Sequence, residues 1–225
     1  MDLSAYQSVD RAANSCFLQI YGGFHPQESD QAPAGTRTIL MLGPFEPGFW
    51  EFTTKAAEFS DEKPNPLDRW SRRVIDALAD EFAAQALYPF GGPPWLPFYS
   101  WAIRTGRSWA SPVAFLVHDS AGLFVSYRGA LAFTSHIELP SPPAHPPCTG
   151  CAAKPCLNSC PASVLDGTGY DSEGCIAYIG SGAGRDCLER GCAVRRACPV
   201  SANYPRSEAQ SEFHQRALLR RHAPS

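Results

Sequence analysis

Eight of the chain's nine cysteines fall between Cys148 and Cys198, and the 147 residues before them contain only Cys16. Two of the eight are followed at once by proline, at Cys160-Pro161 and Cys198-Pro199. So dense a set of thiols is explained either by disulfides or by metal. A disulfide framework belongs to short secreted chains that carry a signal peptide. This chain has 225 residues and begins Met-Asp-Leu-Ser-Ala-Tyr-Gln-Ser-Val-Asp, without a basic segment leading into an apolar core. Metal binding in a reducing compartment is the leading expectation, and the expected location is the cytoplasm.

The spacings narrow the metal. The first group reads Cys148-x2-Cys151-x4-Cys156-x3-Cys160-Pro161. Bacterial ferredoxins use Cys-x2-Cys-x2-Cys-x3-Cys-Pro, where the fourth cysteine serves the other cluster, so only the x4 gap departs. A tight loop can wrap three thiolates around one cubane, while the segment after it carries the fourth away, with proline at the start of a helix. The second group, Cys175-x11-Cys187-x4-Cys192-x5-Cys198-Pro199, is a looser version with the same ending. Exchanging the terminal cysteines predicts two [4Fe-4S] clusters. Cys148, Cys151, Cys156 and Cys198 would hold one; Cys160, Cys175, Cys187 and Cys192 would hold the other. Zinc is the alternative, although four-cysteine zinc sites favour paired Cys-x2-Cys hooks and have no need of two Cys-Pro endings. Cys16 reads as a small buried hydrophobe on an apolar strand.

The jump in cysteine content marks a boundary. Just before it runs Pro140-Ser-Pro-Pro-Ala-His-Pro-Pro147, which can neither pair as strand nor continue as helix and reads as a semi-rigid linker. The expected domains are 1–139 and 148–225, with 140–147 as linker. The formal charge of −3 provides no broad basic field, which disfavours nucleic acid as a partner. No run approaches the roughly 18 apolar residues of a membrane span.

In the first domain the pattern predicts strands at Phe17–Tyr21 and Thr38–Leu42 and a short helix over Phe49–Phe59. A stronger helix starts at Asn65-Pro66, read as a cap followed by proline at the first helical position, with an apolar face of Leu67, Trp70, Val74, Leu78 and Phe82. Another helix is expected over Trp95–Ile103. Pro112–His118 and Leu123–Phe133 read as two strands of a hairpin turning through Asp119-Ser-Ala-Gly122. These elements indicate an α+β fold. Ser207–Arg221 reads as a terminal helix with Phe213, Ala217 and Leu218 inward, docked on the cysteine-rich domain. Gly180-Ser-Gly-Ala-Gly184 has no strand before it and no Gly-Lys-Ser ending, so it reads as a flexible loop between cysteines and not as a phosphate loop.

The second half resembles the dicluster ferredoxin module of epoxyqueuosine reductase, including that family's lone-cysteine segment, matched here by Cys175-Ile-Ala-Tyr-Ile179. The resemblance covers about residues 148–200 and implies that Cys175 is a cluster ligand. The first domain is similar to the cobalamin-processing chaperone of the cblC type and to the cobalamin domain of reductive dehalogenases. Val113–Phe133 followed by His136-Ile-Glu-Leu-Pro140 carries this resemblance, supported by Arg37-Thr-Ile-Leu-Met-Leu42 and Asn65-Pro-Leu-Asp68. It implies a nitroreductase-like mixed sheet holding a base-off cobalamin, with Arg128 matching an arginine that binds the thiol substrate beside the corrinoid. A flavin in the same fold is the alternative cofactor. One departure stands out: epoxyqueuosine reductase places an acidic proton donor in the segment corresponding to Tyr88–Trp95, which here has no Asp or Glu. A tRNA substrate is therefore not implied.

Other candidate residues are weaker. Strand alternation would place Arg128 on a polar pocket wall, or leave it paired with an acidic neighbour, and Gly129 beside it suggests a bulge or a close backbone approach. Trp95, Tyr99, Trp101 and Trp109 could line a cofactor pocket or simply fill the core. His118 and His136 are candidate axial ligands. Arg185, Arg190, Arg195 and Arg196 could raise a cluster potential or form a solvated loop face. The expected function is an iron–sulfur reductase that passes single electrons from two clusters to a corrinoid, served by a redox partner protein. The alternative is a ferredoxin-type carrier whose N-terminal domain docks a partner enzyme and binds no corrinoid.

Overall fold

The computed structural model describes residues 2–143, 145–165, 167 and 169–221. In chain order, α1 (Ser4–Ser15), β1 (Leu18–Phe24), β2 (Thr38–Pro44), α2 (Phe49–Thr54), α3 (Pro66–Glu81), β3 (Gln85–Leu87) and α4 (Phe98–Arg104) come first. Three strands follow, β4 (Ser108–Ala110), β5 (Leu116–His118) and β6 (Gly129–Phe133). The rest is helical: α5 (Ser172–Ile179), α6 (Arg185–Arg190), α7 (Ala193–Ala197), α8 (Pro199–Ala202) and α9 (Glu208–Arg221). The fold is mixed α+β with small sheets.

The chain divides into two units: Met1–Ser108 with Ser126–Ala144, and Trp109–Val125 with His145–Ser225. The linear cut expected at the proline run is thus crossed by 109–125, which groups with the cysteine-rich part.

The first unit is built on an antiparallel four-stranded sheet of order β1-β2-β6-β3. Every residue of β2 and of β6 is buried, which explains their nearly unbroken apolar runs: a strand covered on both faces shows no alternation. Leu40 lies opposite Leu131, and Ala86 pairs with Leu131 from the other side. Between Ile20 and Gly22 the register of β1 slips. Gly22 has φ +135, and a Cβ there would come 2.7 Å from Thr105 Cβ, so the slip needs glycine on both counts.

α3 supplies the apolar stripe that the sequence predicts, with Leu67, Trp70, Val74 and Leu78 buried at three- and four-residue spacing, joined by Ser71, Ile75 and Ala79. Phe82 lies past its end and is only partly buried. The start of the helix differs from the expectation. Asn65 is left-handed (φ 54) and makes no side-chain cap, so Pro66 at the first helical position and Asp68 in the first turn shape the N-terminus instead. The helix expected over Phe49–Phe59 is α2 followed by a separate 3-10 turn at Ala57–Phe59. Cys16 lies in no strand: it is the residue that ends α1, where burial pushes its thiol pKa up.

The expected hairpin is absent. β5 pairs with β4, and β6 pairs with β2 and β3. Residues 123–128 form no strand, because their backbone groups have other partners. Leu123 N–H donates to Ser201 Oγ (2.8 Å), while the carbonyls of Leu123 and Phe124 accept from the guanidinium groups of Arg195 and Arg206. His118 and Gly122 close a tight turn on themselves. Gly122 has φ +57, and a Cβ there would lie 2.4 Å from the Ser201 backbone nitrogen.

The second unit has its own core of Val113, Val117, Leu123, Cys156, Leu165, Val194 and Cys198. Asp171 caps α5 by accepting from Gly174 N–H at 2.9 Å. Pro199 opens α8, as proline at a first helical position should, but Pro161 leads into a turn with Ser163 at φ 55. α9 packs against α5 and α6, and Gln215 Nε2 donates to the Cys187 carbonyl at 3.2 Å. Phe213, Ala217 and Leu218 are partly buried, while Gln210 and Ser211 are the fully enclosed positions. No described helix is long and apolar enough to cross a membrane.

Candidate metal centre

All nine cysteines are free thiols, and eight of them belong to the second unit. Cys148 and Cys151 sit on and just after the short 3-10 turn Pro147–Thr149, and Cys156 on the turn Pro155–Asn158. Cys175 lies in α5 and Cys187 in α6, while Cys192 and Cys198 flank α7. Short helical pieces broken by Gly191 (φ +85) and Lys154 (φ 39) bend the chain back toward the same centres.

Cys148, Cys151, Cys156 and Cys198 line one cavity of about 210 Å³, together with Pro147, Lys154 and Pro199. Cys160, Cys175, Cys187 and Cys192 line a second and much tighter one of about 20 Å³. The terminal cysteine of each sequence group is therefore found with the other group's thiols. The wall of the first cavity also includes Ser111, Pro112, Val117 and Leu123, from the 109–125 segment that linear reading assigned to the first domain.

The electrostatics follow the same partition. Burial pushes the Cys148 thiol up, and Cys198, Cys156 and Cys151 push it further. Cys156 is raised by burial and by Cys198 and Cys151. Burial raises Cys175, with Cys192, Cys160 and Cys187 adding to it and the Tyr170 hydroxyl opposing. Cys187 is raised by burial and by Cys192. Burial and crowding thus favour the neutral thiol at Cys148, Cys156, Cys175 and Cys187. Among the described residues, no group of three or more His, Cys, Asp or Glu is arranged to hold a metal ion.

Tyr170 pairs with Leu165, which lines the second cavity. Burial pushes the Tyr170 phenol pKa up, with the neighbouring Cys175 adding to the shift. Sequence reading missed it, since a tyrosine five positions before a cysteine carries no signal of its own. Of the four arginines noted in this region, Arg185 pairs with Glu189, Arg190 with Glu208 and Asp186, and Arg196 with Asp186. Arg195 is different: it donates to the Leu123 carbonyl and lies 4.4 Å over the Phe115 ring. Gly180–Gly184 forms the link between α5 and α6, with a 3-10 turn at Gly182–Gly184.

In the first unit Arg128 is buried and bound: Nη2 donates to Asp68 Oδ1 (2.6 Å) and Nε to Ser71 Oγ (3.0 Å). It sits just before β6, on an α3 anchor and not on an open wall. Gly129 is a close approach and not a bulge, since a Cβ there would meet Ile75 Cδ1 at 2.7 Å. The candidate aromatics do not converge. Trp101 is fully buried and donates to the Asp30 carbonyl at 2.7 Å, Trp109 packs on the second unit's core, and Trp95 and Tyr99 are exposed. Trp95 lines an open cavity of about 190 Å³ with Tyr88 and Phe90. His118 is enclosed in its own turn, its Nδ1 accepting from Ser120 and Ala121 N–H, and His136 stacks on His25 at 4.0 Å. No protein-family model, curated protein or solved structure matches this chain.

Proposed function

We propose that this chain is an iron–sulfur electron-transfer protein with two [4Fe-4S] clusters, one on Cys148, Cys151, Cys156 and Cys198 and one on Cys160, Cys175, Cys187 and Cys192. The observation that carries the reading is the partition of eight thiols into two sets of four, each around its own cavity. The donor set suits iron: all-thiolate ligands, each buried or partly buried. When bound, such clusters accept and release single electrons. The chain's own part is to hold the ligands, exclude water with Val117, Leu123 and Val194, and set the local charge.

On this reading the cysteine-rich unit is ferredoxin-like, and the first unit corresponds to the nitroreductase-like sheet of the cobalamin proteins. A corrinoid acceptor has less support than the clusters. Arg128, its expected contact, is committed to Asp68 and Ser71, and the cavity beside Trp95 is smaller than the roughly 300–1,000 Å³ of ordinary small-molecule sites. We therefore favour the carrier form, in which the first unit docks a redox partner protein.

Anaerobic reconstitution with iron and sulfide tests the proposal. The wild-type chain is expected to bind about eight irons, and Cys198→Ala about four. Full iron in that variant would overturn the ligand assignment. In a cobalamin titration, the carrier form predicts no spectral shift from base-on to base-off; a stoichiometric shift would restore the corrinoid acceptor.

A further inference from the structure

The loop of residues 88–97 leads from β3, an edge strand, into α4 and contains no charged residue. Its rings nevertheless stay near water. Tyr88, Phe90 and Trp95 line the open cavity of about 190 Å³ together with Gly91 and Gly92. The Tyr88 and Phe90 centroids lie 5.2 Å apart, and Trp95 is 65% exposed. Both glycines are needed for this shape. A Cβ on Gly92 would come 2.8 Å from the Trp95 ring, and Gly91, at φ +86, passes so close to Arg72 that a Cβ would lie 3.2 Å from Nη2.

Arg72, an exposed residue of α3, brings positive charge to this wall. Its guanidinium carbon lies 4.3 Å from the Tyr88 centroid and 5.7 Å from that of Phe90. Arg69 and Arg73 on the same helix pair with Asp61 and Glu58, whereas among the described residues Arg72 makes no ion pair. Asp76, one turn further along α3, instead accepts from the Tyr88 hydroxyl at 2.5 Å. The other guanidinium near Phe90, that of Arg128 at 5.5 Å, is held by Asp68. A guanidinium stacked on rings is weakly hydrated and keeps its N–H edge for a planar anion. A carboxylate matches that edge with two parallel hydrogen bonds. Since an apolar cavity of about 150 Å³ takes up a benzene ring, this one has room for a single ring with a small substituent.

We propose that Tyr88, Phe90, Trp95 and Arg72 form a binding site for a small aromatic carboxylate, with the ring seated among the three aromatic side chains and the carboxylate on the Arg72 guanidinium. All four residues belong to the first unit, so the site stands whether or not the thiol sets carry clusters.

Calorimetric titration of the full chain with benzoate, and with benzamide as a neutral ring of similar shape, tests the site. The wild type is expected to bind one benzoate, saturably and about tenfold more tightly than benzamide, the difference that a charge-assisted hydrogen-bonded pair supplies. Arg72→Gln should remove that preference by bringing benzoate down to the level of benzamide. Unchanged benzamide binding in the same variant would show that the cavity is intact. Trp95→Ala should weaken both ligands alike. No saturable benzoate binding, equal affinity for the two probes in the wild type, or an Arg72→Gln variant that keeps the preference would overturn the proposal.

Discussion

The Arg128–Asp68 pair shows how unequal two halves of one ion pair can be. The arginine side chain is 9% exposed and the aspartate 30%. Burial lowers the Arg128 pKa, and Asp68 opposes that shift. Removing the carboxylate strands a buried cation, whereas removing the guanidinium leaves an aspartate that can turn toward water. Asp68→Asn should therefore destabilise the chain by about 3 kcal/mol and Arg128→Met by less, as read from urea unfolding midpoints. Equal losses would mean that Ser71 and the neighbouring Phe90 ring, 5.5 Å away, hold the guanidinium without the carboxylate. The sequence offered both readings of Arg128, pocket wall and paired arginine, because strand alternation says which side a residue faces but not who waits there.

At the scale of elements, α3 and the turn at His118–Gly122 mark the two extremes of legibility. The α3 stripe repeats every three or four residues and can be seen without knowing what it packs on, since helical periodicity is a local property. Trp70 is 1% exposed and meets Phe49 edge-on at 5.5 Å, so Trp70→Ala should cost about 3–5 kcal/mol, visible as a lowered thermal midpoint. The turn was misread for the opposite reason. Two apolar runs around Asp119-Ser-Ala-Gly122 look like a hairpin, yet Arg195, Ser201 and Arg206, all more than seventy residues further on, take the backbone groups that pairing would use. Gly122→Val should be more damaging than a generic turn substitution, because it combines a left-handed φ with a clash against backbone. Its signature should be reduced iron uptake together with reduced stability, since Leu123 lines the first cavity.

At the scale of the whole molecule, the chain enters the second unit at Trp109, leaves it at Val125 and returns at His145. Val113, Val117 and Leu123 belong to that unit's core although they lie before the proline run. A fragment of residues 145–225 should therefore fail to unfold cooperatively and should bind less iron than the full chain. Adding residues 109–125 as a separate peptide should recover part of the binding. A fragment that loads as well as the full chain would mean that the cysteine loops and α9 suffice on their own.

What the sequence by itself determined is what short-range chemistry can encode: the α3 face, the strand at Thr38–Leu42 that the structure extends to Pro44, the terminal helix, and the concentration of thiols behind a proline run. Cysteine spacing also proposed which thiols belong together, because loop lengths limit how a short chain can wrap a common centre. Only the tertiary structure decided that β6 lies between β2 and β3, that Arg128 faces Asp68, and that 109–125 groups with the cysteines. Each of these joins residues distant in sequence or depends on a bend between them. Such contacts are chosen by competition among all the partners the folded chain makes available, and no local pattern records the outcome.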